Sequence, residues 1–475
     1  MAAGAGPTAA LAGAVLWTAA AAVAAPIGDE RAIPGHIDQA AIGRGELTIE
    51  ELIESGRTWF DAKFTVLDGA GRPGSTTAIV PTATQPGLTP SFFRTAGPDS
   101  NSCGGCHHSP VLGAAGDFVA NAFVTEGFSD TDFNTVDPQF SNERGTPHLF
   151  GSGLVELLAR EMTRDLRAQR DAARKAAVGE GKAVTVALST KGVSFGELTV
   201  QPDGFVDVSA LDGIDQDLTV RPFSQKGVFV SIRQFTVNAL NGHHGMQPTE
   251  RFGARYTGTD DFDGDGIAGE ASPGDVTSLV AFQATLPPPQ KVLPADPERR
   301  EAVAAGEELF DQAGCSECHI PALPLESTVF TEPNPYNPAG NLRTGDVAGS
   351  LEIDLAKLAA AGGLARDDQG RLLVPAFTDL KRHVIADDER PHFANELLSQ
   401  RFVERDQFLT ARLWGAGSTP PYGHRGDLTT LDEAIVNHGG DAAGSRRAYE
   451  ALADLDRRRI IEFLLSLRIG GETPR

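Results

Sequence analysis

Methionine is almost missing from this chain: three residues in 475, of which only Met162 and Met246 lie beyond the first position. Basic residues are in deficit too, 41 against 64 acidic ones for a net charge of −23. That balance argues against nucleic acid or an anionic membrane surface as a partner, and it suits a soluble protein. After residue 25 no apolar run is long enough to span a bilayer. Cysteine stops at four.

Those four cysteines are all spent in two copies of one pattern, Cys103-Gly104-Gly105-Cys106-His107 and Cys315-Ser316-Glu317-Cys318-His319. C-x-x-C-H is the attachment signature of c-type haem: two thiols bond the porphyrin vinyl groups, and the adjoining imidazole takes the iron. A zinc ribbon or two small disulfides are the bland readings. Zinc knuckles, however, usually lie within about 20 residues of each other, whereas these lie more than two hundred apart. The motifs imply two covalently bound haem c groups.

The chain opens on Leu11 to Ala25 (LAGAVLWTAAAAVAA), an apolar core followed by small residues suited to cleavage, so residues 1–25 read as a secretory signal. No Lys or Arg precedes that core, which leaves an uncleaved anchor as the other reading. Export to the periplasm fits haem attachment, which occurs outside the cytoplasm, and leaves no stable membrane span once the signal is removed. A helix is expected from Leu47 to about Phe64, with Leu52, Ile53, Gly56, Trp59, Phe60 and Phe64 on one face. Gly56-Arg57-Thr58-Trp59-Phe60 is echoed by Gly306-Glu307-Glu308-Leu309-Phe310 just before the second motif, which suggests two related domains. Residues 67–100 read as a Gly/Pro/Thr-rich loop. A further helix is expected near Leu154 to Ala177, its charged later half a solvated face.

Alternation at Val184, Val186 and Leu188, then at Leu198 and Val200, predicts a small sheet within 183–222. A helix from Val228 to Leu240 follows, running into Asn241-Gly242-His243-His244-Gly245-Met246. Asp261, Asp263 and Asp265 have the D-x-D-x-D-G spacing of a calcium loop, with Glu270 to close the shell, since position twelve is Ser272. An Asp/Gly turn is the bland reading. Prolines 287 to 297 mark a stiff linker, and a last helix is expected over Ala451 to Leu467. The fold expected is mainly α: two cytochrome-c-like haem domains with a small β insertion between them. The boundaries are 1–25 signal, 26–178 N-terminal haem domain, 179–290 connecting region and 291–475 C-terminal haem domain.

What sits on the far side of each iron decides the chemistry, because a closed iron transfers electrons and an open one binds a small oxidant. Scarce methionine pushes that ligation toward His108, His148, His243, His244, His383, His392, His424 or His438, with His36 nearer the start. Any single one of these is more often surface or core than ligand.

Several stretches resemble the bacterial dihaem oxidoreductases known as thiol oxidoreductases, within the wider dihaem cytochrome c peroxidase superfamily. They are Arg94 through His107, Gly242-His243-His244-Gly245-Met246-Gln247, Phe377-Thr378-Asp379-Leu380 through His383, and Leu413-Trp414-Gly415 through Tyr422-Gly423-His424-Arg425-Gly426 to His438-Gly439-Gly440. In the peroxidases of that superfamily the residue fourteen places after the His of a Tyr-x-His-x-Gly segment is the distal ligand of the C-terminal haem. The matching position here is His438. The resemblance likewise makes His244 the leading distal ligand of the N-terminal haem, with Met246 behind it. No His between the first motif and Arg144 matches the peroxidases' N-terminal distal ligand, and their Gln/Glu segment is absent, so peroxidase activity does not follow directly.

The expected function is a periplasmic, peroxidase-like dihaem oxidoreductase. It would pass electrons between a C-terminal electron-transfer haem and an N-terminal reactive haem. Glu156 or Glu161 would serve as the acid/base for O–O cleavage. Its partners would be a small redox protein or a quinol-linked donor or acceptor, and peroxide or another small oxidant. The rival is a non-catalytic dihaem electron-transfer cytochrome.

Overall fold

In the computed structural model, which describes residues 30–70, 100–123, 141–262, 264–358 and 363–470, the apolar-striped segments are helical. The longer helices are α1 (Ile49–Asp61), α2 (Ser152–Glu180), α3 (Ile232–His244), α4 (Pro273–Ala284), α5 (Pro297–Gln312) and α6 (Asp454–Ser466). The signal segment lies outside the described residues, as does most of the loop expected over 67–100.

Helix α1 starts where Thr48 forms a capping box: its hydroxyl accepts from Glu51 N at 3.1 Å and Glu51 Oε2 accepts from Thr48 N at 2.8 Å. Its buried face is Leu52, Gly56, Trp59 and Phe60, and it packs on α4. Gly56 is the contact point. A Cβ there would lie 1.9 Å from the Ser278 carbonyl oxygen, so only glycine lets the two backbones come this close. Helices α5 and α6 repeat the arrangement, with a Cβ on Gly306 falling 1.9 Å from the Arg459 carbonyl oxygen. Phe60 meets Phe282 of α4 at 5.2 Å between ring centroids, and Phe310 meets Phe463 of α6 at 5.5 Å. The Gly-x-x-x-Phe echo is therefore a pair of matching helix contacts.

The fold as a whole departs from expectation. Helix accounts for 38% and strand for 16%, the strand spread over several small sheets, so this is not a mainly α cytochrome fold. Residues 184–190, 193–200 and 206–207 form a three-stranded antiparallel sheet against α2. Further two-stranded ribbons run through the second half: 323–325 with 372–374, 329–332 with 351–354, and 382–384 with 407–409. Strands of three or four residues carry too few positions for alternation to register, which is why reading the sequence missed them.

Long-range contacts bind the segments together. Helix α4 lies in the stretch assigned to the connecting region, yet its partner is α1. The proline-rich stretch after it contributes Gln290–Lys291 as a strand pairing with Leu467–Arg468. Arg31–Arg475 forms one compact unit. Among the described residues no helix is long and apolar enough to cross a membrane.

Candidate functional site

The first motif forms one helical turn, Cys103–Cys106, fixed to the end of α1. Lys63 Nζ donates to Ser102 Oγ at 3.1 Å, and that hydroxyl faces the Asp61 carbonyl at 3.3 Å. Cys103, Cys106 and His107 line a cavity open to solvent. His107 stacks obliquely on Phe60, 5.9 Å between centroids. Its Nδ1 lies 3.2 Å from the Ala114 carbonyl oxygen, and a carbonyl only accepts, so Nδ1 carries the proton and Nε2 is left with its lone pair. Burial pushes the His107 pKa down to about 4, which keeps the ring neutral.

Opposite this turn stands the end of α3. The helix expected to end at Leu240 continues through His244, and Gly245 ends it in a left-handed conformation, φ 69°. His243 and His244 both line the cavity. His244 Nδ1 donates to the Ser100 carbonyl oxygen at 2.7 Å, and its Nε2 lies 3.4 Å from Cys103 Sγ. Met246, the other distal candidate, is fully buried in the apolar core and does not line the cavity.

The second motif follows α5 directly, as a 3₁₀ turn over Cys315–Glu317. His319 Nδ1 faces two carbonyl oxygens, of Phe377 and Ala411, each at 3.1 Å. Burial and the nearby His438 push its pKa down to about 4. His438 Nδ1 donates to the Ala434 carbonyl oxygen at 2.7 Å, its ring packs on Phe393 at 5.5 Å, and burial lowers its pKa. In all four histidines a carbonyl holds Nδ1, the usual way a protein orients an iron-binding imidazole.

These residues fit haem better than the bland readings. None of the four cysteines forms a disulfide. Burial pushes the Cys103 thiol up to about 12 and Cys315 up to about 11. Among the described residues the one cluster of three donor atoms within 4.8 Å is Cys318, Asp379 and His383. There His383 Nε2 lies 2.7 Å from Asp379 Oδ2.

The other predicted site residues lie elsewhere. Glu156 is fully buried in α2, receiving Arg160 Nε at 3.1 Å, Asn334 Nδ2 at 2.7 Å and the Ile232 amide at 2.7 Å. Glu161 takes Lys191 Nζ at 2.5 Å and the Glu326 and Ser327 amides at 3.0 Å. Neither lines the cavity, and both tie α2 to later chain. Of the calcium set, Asp263 lies outside the described residues. Asp261 accepts from the Gly264 and Gly266 amides at 2.8 and 3.2 Å, and Asp265 from the Ile267 amide at 2.7 Å. Glu270 is buried, with Oε2 on the Gln247 amide at 2.6 Å.

The cavity wall also holds residues that sequence reading left unassigned, among them Arg144, Phe229, Gln283 and Gln400. Arg144 is buried, bonded to Glu396 and to Gln400 Oε1, the latter at 3.3 Å. Glu396 also faces Lys226 Nζ at 3.7 Å and His424 Nε2 at 3.2 Å, the last outside hydrogen-bonding geometry. Arg144 opens the segment Arg144 through Gly151, so its pattern was visible; its partners, some 250 residues on, were not.

No family model matches the chain, and no curated protein matches it. Among solved structures, hydrazine synthase of Kuenenia stuttgartiensis overlaps at a TM-score of 0.32 and 13% identity, covering 89% of this chain and 93% of that one. A MauG-like protein associated with microbial copper homeostasis overlaps at 0.27 and 15% identity, covering 57% and 78%. Superpositions this loose carry no argument about this chain.

Proposed function

We propose that this protein is a dihaem c-type oxidoreductase with one haem attached at Cys103–His107 and one at Cys315–His319. The observation that carries the proposal is the pair of C-x-x-C-H turns, each without a disulfide and each with its histidine held at Nδ1 by a backbone carbonyl. When bound, haem supplies one-electron chemistry that side chains lack. The chain's own work is to attach, orient and exclude water. Cys103, Cys106, Cys315 and Cys318 anchor; His107 and His319 offer neutral Nε2 atoms; Phe60 and Phe310 press on those rings.

His244 and His438 are the proposed sixth ligands. The N-terminal site is the proposed reaction site, because its cavity opens to solvent and is lined by the polar side chains of Arg144, Gln283 and Gln400. Substrate class in this reading is a small oxidant such as peroxide, with electrons from a small redox protein or quinol-linked donor in the periplasm. The electron-carrier reading has its own support: Ser100 tethers His244 through Nδ1 as firmly as Ala434 tethers His438, which favours two closed irons.

Denatured, acid-washed protein should retain two haems by mass, and the Cys315→Ala, Cys318→Ala variant one. Zinc without a Soret band would sink the proposal. Cyanide added to half-reduced protein should bind the N-terminal haem; binding at neither haem leaves the electron carrier as the function.

A further inference from the structure

The mechanism above makes no use of Arg412. Its Nη1 is buried without a hydrogen-bond partner, and its guanidinium has no ion pair among the described residues. Other buried cations of the fold are matched: Arg144 with Glu396, Lys226 with Glu396, Arg446 with Glu389 and Glu450. Removing a guanidinium from water with no counter-charge is costly, and proteins rarely leave one so. Burial alone acts on it, holding its pKa down to about 10.

A second unpartnered donor lies two residues on: Trp414, 1% exposed, leaves Nε1 unpartnered. His148 is close enough to Arg412, and to His107 of the first motif, to feel their charge, and its ring meets the Trp414 backbone. Trp414 in turn lies against Gly151, where a Cβ would come within 2.4 Å of the indole. Uncompensated donors two residues apart in the chain call for an acceptor, and an anionic one suits the arginine. Position identifies the acceptor's source. Arg412 directly follows Ala411, whose carbonyl oxygen receives His319 Nδ1 at 3.1 Å, so the backbone that carries the unpaired cation lies beside the second C-x-x-C-H site.

We propose that Arg412, assisted by Trp414 Nε1, seats a propionate carboxylate of the haem attached at Cys315 and Cys318. This rests on the dihaem reading and adds the residues that neutralise the cofactor's own charge. Pairing of that kind sets potential as well as affinity. A carboxylate left without its cation stabilises ferric over ferrous iron, so the cation holds the potential up.

The test is spectropotentiometry of the full haem-loaded chain, repeated with Cys103→Ala and Cys106→Ala, where only the C-terminal haem remains. Arg412→Gln should lower the ferrous-to-ferric ratio of that haem about tenfold at the wild-type midpoint, a fall of ~59 mV for a one-electron couple. Arg412→Lys, which keeps the charge, should recover most of the shift. Trp414→Phe, which keeps the ring and removes the donor, should lower the same potential by less, and carries the test if Arg412→Gln fails to fold. Two bound haems with an unmoved C-terminal potential, or a shift confined to the Cys103–His107 haem, overturn the assignment and leave the dihaem reading standing. Protein recovered without covalent haem overturns both.

Discussion

The two C-x-x-C-H regions are built on the same contact and finished differently. In each, a glycine at a helix crossing brings two backbones together, and the phenylalanine one turn later meets both the partner helix and the motif histidine. Beyond that contact they diverge. In the first, forty-one residues separate the helix from its motif, and the motif faces a cavity with two histidines at its far wall. In the second, the motif follows the helix at once, and His438 packs against Phe393 beside a small apolar cluster. A shared support thus leaves room for two different sites, because the helix contact fixes the motif while the far wall comes from unrelated chain.

The largest expected effect comes from the phenylalanines. Phe60→Ala and Phe310→Ala should each cost about 3–5 kcal/mol, since both are buried and wedge a helix pair against the motif histidine. Denaturant unfolding measures this. A loss under about 1 kcal/mol at either would break the equivalence of the two supports.

Next come the glycines. Alanine in a helix ordinarily gains about 1 kcal/mol over glycine, but Gly56→Ala and Gly306→Ala should reverse the sign and cost about 1–3 kcal/mol by forcing backbones apart. Stabilisation by either substitution would show that its helix pair is not in close contact.

Helix caps should matter less. Thr48 caps α1 by a reciprocal box, and Asp296 caps α5 through the Glu298 and Arg299 amides at 2.8 and 3.3 Å. Thr48→Ala and Asp296→Ala should each lower stability by about 1 kcal/mol. Paired melting curves check whether the two helices lean equally on their caps.

The smallest effect is the one that separates the regions. His36 Nδ1 lies 2.7 Å from Asp275 Oδ2 on α4, and this hydrogen bond raises the His36 pKa above its ordinary 6.5. A raised folded-state pKa contributes stability that is full below 6.5 and lost as pH rises through the folded value. The first helix pair should therefore weaken on moving from mildly acid to alkaline pH, and His36→Gln should flatten the trend. An unaltered pH profile in that variant would falsify the link.

Much of this was legible in the chain. Helix α1 was expected from Leu47 to Phe64 and spans Ile49–Asp61; the last helix was expected over Ala451 to Leu467 and spans Asp454–Ser466. Amphipathic stripes of that length announce themselves. The short ribbons of the second half did not, nor did the helical character of His243 and His244, since Gly242 reads as a breaker while the helix ends only at Gly245. Glu156 and Glu161 looked available on a helix surface; tertiary packing buries both and satisfies them with Arg160, Lys191 and backbone amides.

By itself the sequence determined the two attachment motifs, because thiol and imidazole chemistry resides in adjacent residues, and it determined the paired Gly-x-x-x-Phe helix faces, because helical periodicity is local. Tertiary structure alone decided which histidines face those motifs and which cations stay unpaired. His244 is 141 residues from Cys103, Glu396 is 252 from Arg144, and Ala411 is 92 from His319, and only the folded chain closes such distances.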